Sequence, residues 1–62
     1  MANYKFQLNQ RVRTPMGDGV VDTLPYNELS DAYIVYLDKP YNALGCRMQH
    51  EYVCEEKYIT AL

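Results

Sequence analysis

Ala32-Tyr33-Ile34-Val35-Tyr36-Leu37 is an unbroken run of β-branched, aromatic and aliphatic residues, with Ser30-Asp31 before it and Asp38-Lys39-Pro40 after it. Such composition between turn-forming residues favours an extended strand. Side chains alternate along a strand, so Tyr33, Val35 and Leu37 share one face while Ile34 and Tyr36 share the other. If the first face lines a core, the second lies near the surface or under a loop.

Working outward, Pro25 ends an upstream strand from Gly19 to Leu24, and Tyr26 to Asp31 reads as a loop or single helical turn. Before that strand, Thr14-Pro15-Met16-Gly17-Asp18-Gly19 is a tight reversal, because proline presets φ and glycine accepts positive φ without Cβ strain. The strand feeding it, Gln10 to Thr14, places Val12 inward between Arg11 and Arg13. Downstream, Asp38-Lys39-Pro40 reads as a strand stop and Tyr41 to Gly45 as a loop. A fourth strand from Cys46 to Val53 then alternates, with Cys46, Met48, His50 and Tyr52 on one side and Arg47, Gln49 and Glu51 on the other. Cys54 to Tyr58 has room for a short 3₁₀ turn before a last strand, Ile59 to Leu62. No stretch keeps a helical apolar period free of Gly and Pro. The expected fold is all-β: a five-stranded antiparallel SH3-like barrel with a short 3₁₀ turn before the last strand, forming one domain over residues 1–62.

The chain of 62 residues is 48% hydrophobic and has seven tyrosines, which is too apolar and aromatic for a disordered segment. A core of this size leaves only a few kcal/mol of net stability. Six Lys and Arg against eight Asp and Glu give a formal charge of −2, which opposes a general phosphate-binding footprint. No apolar run is long enough to cross a bilayer, and the first residues lack the apolar stretch of a signal peptide. With Cys46 and Cys54 too few for a disulfide framework, the expectation is a cytoplasmic protein with reduced thiols and no membrane partner.

Phe6-x-x-x-x-Arg11-Val12-Arg13-x-Pro15-x-Gly17-x-Gly19-x-Val21, with Tyr33-x-Val35-x-Leu37-Asp38 and a terminal Leu62, resembles the Tudor-like C-terminal domain of bacterial superfamily-one DNA helicases. The resemblance covers most of the chain and implies a partner-docking barrel; its elements are turn and core residues, which speak to fold more than to function. Leu37-Asp38-Lys39-Pro40 with Gly45 and Tyr52-x-Cys54 is similar to CAP-Gly domains, but Asn42-Ala43-Leu44-Gly45 stands where their signature belongs, so their ligand is not carried over. The order of elements is also similar to the small stromal barrel subunit of photosystem I.

Cys46, His50 and Cys54 recur every four residues, but four residues of strand span about 13 Å, too far for neighbours to share an ion with ligands at about 2.0–2.3 Å. No metal and no cofactor is expected. His50, the only histidine, has no nucleophile and carboxylate beside it in a triad-like arrangement, and the chain is too short for a water-excluding cleft. The expectation is therefore not an enzyme, with His50 packed against a neighbour. Asp18, Asp22, Glu28, Asp31 and Asp38 fall at turns and strand ends as a solvated rim, without the spacing of a calcium loop.

Tyr26, Tyr36 and Tyr41 are the candidate partner-binding aromatics, since rigid rings bury area at little entropic loss. The competing role is to cover the ends of an undersized core. Arg11 and Arg13 are further candidates for partner or phosphate contact, set against cross-strand pairing with Asp18 and Asp22. The chain thus reads as a non-catalytic protein-binding module, a small accessory or inhibitor factor of bacterial or phage origin that occupies a surface of a larger protein. The alternatives are a nucleic-acid-associated barrel and a homo-oligomer joined through edge strands.

Overall fold

The computed structural model describes residues 4–27, 29–43, 45 and 47–62. Five strands, β1 (Arg11–Thr14), β2 (Gly17–Thr23), β3 (Ala32–Ala43), β4 (Arg47–Glu55) and β5 (Thr60–Ala61), form one antiparallel sheet in the order β4-β3-β2-β1-β5. A 3₁₀ turn, Glu56–Tyr58, precedes β5. The chain is all-β, as expected, but the sheet is open: β4 and β5 are its two edges. No helix among the described residues is long and apolar enough to cross a membrane.

The strands align their apolar alternates on one face. Val12 lies opposite Gly19, and Gly19 opposite Leu37; Val21 lies opposite Val35, and Val35 opposite Tyr52. Val12, Val21, Tyr33, Val35, Leu37 and Cys54 are buried there, together with Phe6 from the N-terminal segment and Ile59 after the 3₁₀ turn. Burial pushes the Cys54 thiol above its ordinary range. The row through Arg11, Val20, Tyr36 and Glu51 points to the opposite face.

Tyr33 ties the ends of the chain to this core. Its ring meets Phe6 edge-on at 5.5 Å, its hydroxyl accepts the Lys5 and Phe6 amides at 3.1 and 3.4 Å, and it donates to the Glu56 carboxylate at 2.8 Å. Burial, and secondarily the bond to Glu56, push its pKa above the ordinary 10.0.

Gly19 is required by packing. A Cβ there would lie 2.3 Å from the Tyr36 carbonyl oxygen and 2.8 Å from the Leu37 Cα, both backbone atoms of β3. Gly17 is required by conformation, with φ +127° at the end of the Pro15-Met16 turn. The Thr14 hydroxyl braces that turn, donating to the Gly17 carbonyl at 2.9 Å and accepting the Met16 amide at 3.1 Å.

The strand boundaries correct the expectation in one informative place. Asp38-Lys39-Pro40 does not stop β3, which continues to Ala43, so Tyr41 belongs to a strand rather than a loop. Proline is tolerated because Pro40 lies past the last β2–β3 pair, Gly19 with Leu37, and inside the register shift between Tyr36 and Tyr41 on the β4 side. Its missing N–H therefore costs no ladder bond. Beyond the shift, Tyr41, Asn42 and Ala43 pair with Gln49, Met48 and Arg47 as a two-stranded arm. At the other end β4 runs two residues further than expected, to Glu55; the expected start at Cys46 lies outside the described residues. The last strand is shorter, Thr60–Ala61, because the Ile59 amide is spent closing the 3₁₀ turn on the Glu56 carbonyl.

Candidate partner-binding face

The outer face of the sheet centres on Tyr36, which is 45% exposed although it sits in mid-strand. Val20 and Glu51 flank it across the sheet, and Ile34 and Val53 stand opposite each other two residues along. Val53 is 62% exposed. No segment among the described residues covers this apolar strip.

The register shift brings an unexpected residue to Tyr36. Opposite residues 37–40 the facing strand supplies only His50, whose ring stacks parallel on Tyr36, centroids 4.6 Å apart. Its Nδ1 bonds the Leu37 carbonyl at 2.7 Å, standing in for the backbone donor that the shift removes. His50 thus packs against a neighbour as expected, but it leaves the side of Tyr52 to which simple alternation assigns it. Gln49 takes that side instead and donates to the Tyr41 hydroxyl at 3.0 Å.

Of the tyrosines proposed to act together, the structure does not bring Tyr41 to Tyr36. Tyr41 is half-buried, packs edge-on against Tyr52 at 5.6 Å and donates to the Glu51 carbonyl at 2.9 Å, which is the core-covering role. Tyr26 is 92% exposed in the β2–β3 connection. In that connection, which reads from sequence as a loop or a single helical turn, the Ser30 amide bonds the Asn27 carbonyl and the Leu29 amide bonds the Asn27 side chain.

Arg11 and Arg13 also point to the outer face, and both are engaged. Arg13 Nε bonds Asp18, its direct cross-strand neighbour, at 3.0 Å, the charge pairing expected of β1 and β2. Arg11 pairs not with Asp22 but two strands away, gripping both carboxylate oxygens of Asp38 at 2.7 Å each. These bonds raise the Arg11 pKa and lower that of Asp38. Asp38 could not be singled out while Asp38-Lys39-Pro40 read as a terminus. Beside these pairs, Met16, Gly17, Asp18, Asp38 and Lys39 line an open depression of about 340 Å³.

No protein-family model, curated protein or solved structure matches this chain.

Proposed function

We propose that this chain is a non-catalytic protein-binding module of the SH3-like, Tudor-like kind, which docks on a larger protein through the outer face of β3. The observation that carries the reading is the Tyr36–His50 stack, standing half exposed beside Val20, Ile34 and Val53 with none of the described residues folded over it. Flat rings backed by a sheet offer contact area that needs little ordering on binding. The meander order of the strands and the 3₁₀ turn before β5 support the SH3-like description. Because both outer-face arginines are committed to carboxylates, they make a poor phosphate track.

The test is capture of partners on the immobilised wild-type chain and on Tyr36→Ala and His50→Ala, each shown by circular dichroism to be folded. Truncating a central aromatic contact costs about 2 kcal/mol or more of binding, so both variants should release a protein that the wild type retains. Retention of nucleic acid that falls with salt and with Arg11→Ala and Arg13→Ala, while Tyr36→Ala changes nothing, would transfer the assignment to the nucleic-acid alternative.

A further inference from the structure

We propose that the free edge of β4 accepts an added strand from the partner, and that this strand carries basic side chains two positions to either side of an apolar one. The inference rests on the protein-binding reading above and names the chemistry of the segment that would be bound.

The ladder sets which peptide groups are available. The Glu56 amide bonds the Asp31 carbonyl at 2.8 Å, and residue by residue back from that bond the β3–β4 ladder alternates between bonded and non-bonded pairs. Cys54 and Tyr52 therefore turn their peptide groups toward β3, and Glu51, Val53 and Glu55 turn theirs to the free side. The same phase directs the Leu37 carbonyl toward β4, where His50 meets it. Of the outward groups, the Glu51 carbonyl is already taken by the Tyr41 hydroxyl and the Gln49 side-chain amide. Val53 presents both its N–H and its C=O, and Glu51 and Glu55 present their N–H groups.

Edge strands are commonly guarded by brevity, proline or lysine. β5 is guarded in the first way, with two residues. β4 has nine residues, Arg47-Met48-Gln49-His50-Glu51-Tyr52-Val53-Cys54-Glu55, without proline, glycine or lysine.

Side chains then select the occupant. Glu51, Val53 and Glu55 share the outer face, and neither carboxylate has an ion-pair partner among the described residues. A second copy paired antiparallel about Val53 would set Glu51 against Glu55 twice, a like-charge opposition that destabilises a strand pair. An incoming strand with lysine or arginine at positions i and i+4 and a β-branched residue at i+2 places opposite charges beside both carboxylates and an apolar contact on Val53. That strand would lie next to the Tyr36–His50 stack, so edge and face form one continuous surface.

The probe is a capped seven-residue peptide, threonine-lysine-threonine-valine-threonine-lysine-threonine, compared with the same peptide carrying glutamate for lysine and with one N-methylated at alternate amides. Binding is read by amide chemical shifts and hydrogen exchange of the full chain. The lysine peptide should protect the Glu51, Val53 and Glu55 amides at least tenfold, and the other two should bind at least tenfold more weakly. In the double variant Glu51→Lys/Glu55→Lys, shown to be folded, the preference should invert to the glutamate peptide. Equal binding of all three peptides, protection confined to Val20 and Tyr36, or a dimer in sedimentation that protects the β4 edge without ligand would each overturn the proposal. If Tyr36→Ala releases a captured partner that the lysine peptide does not displace, the protein-binding reading stands and the edge does not; if the peptide binds at the edge and Tyr36→Ala releases nothing, the reverse holds.

Discussion

Tyr33 and Tyr36 sit three residues apart on one strand and end in opposite environments. Tyr33 is fully buried, with its hydroxyl shared among Lys5, Phe6 and Glu56; Tyr36 is 45% exposed and touches a histidine ring. The strand's alternation separates them, and the surroundings do the rest: two chain ends converge over one face, and no segment among the described residues covers the other. An aromatic residue on a small sheet is therefore defined by what the termini cover, not by its own propensity.

The strongest way to break this contrast is to remove the buried ring. Tyr33→Ala should cost about 3–5 kcal/mol, as large aromatic truncations in cores do, which is comparable to the whole stability of a domain this small. The expected outcome is loss of cooperative melting and of amide protection; a variant that melts like the wild type would show that Tyr33 is not the keystone of the core.

Next in size is a change to neither ring but to Gly19, which packs against the β3 backbone at Tyr36 and Leu37. Gly19→Ala forces a Cβ into the backbone between Tyr36 and Leu37, and overpacking of this kind costs about 1–3 kcal/mol. Denaturant titration should show a lower midpoint with an unchanged slope. An unaltered midpoint would mean that β2 and β3 are further apart than the geometry states.

A smaller effect separates the Tyr33 hydroxyl from its ring. Because its folded pKa lies above the unfolded value near 10.0, the unfolded chain loses this proton first as pH rises. Its contribution is thus complete below the unfolded pKa and is lost as pH climbs through the folded one. Burial raises Tyr52 in the same direction. Melting temperatures from pH 8 to pH 12 should fall for the wild type and fall less for Tyr33→Phe, which should itself be destabilised at pH 8 by about 1 kcal/mol for the lost hydrogen bonds. Parallel curves for the two proteins would refute the role of the hydroxyl.

The smallest effect on folding belongs to Tyr36→Ala, about 0.5–1 kcal/mol for the lost stack, measured by the same denaturant titration. If it destabilises the protein as much as Tyr33→Ala, the two faces are not different in kind and the outer ring is core.

Much of the fold was legible because period-two alternation survives wherever neighbouring strands keep register. Val12, Val21, Tyr33, Val35 and Leu37 fall inward as their spacing implies, and Gly17 has the positive φ its turn demands. Legibility ended at residues 37–40. Asp38-Lys39-Pro40 carries every local mark of a strand end, yet a bulge is a property of two strands, and the partner that tolerates it is thirteen residues away at His50. The same bulge keeps Tyr41 on the strand, turns His50 away from the Tyr52 side and brings Asp38 to Arg11. Tyr36 precedes the shift, so simple alternation already turns it outward. The openness of the sheet could not be read from strand lengths, because closure depends on curvature rather than on local composition.

The bond that fills the gap in the β3–β4 ladder fixes the tautomer of the histidine that makes it. A carbonyl oxygen can only accept, so Nδ1 of His50 carries a proton when it bonds Leu37, and the neutral ring leaves its lone pair on Nε2. The ring thus keeps an acceptor in parallel contact with Tyr36 while its one donor stays committed to the peptide group it covers. Hydrogen-bond acceptance on the outer face is separable from the integrity of the strand pairing beneath it.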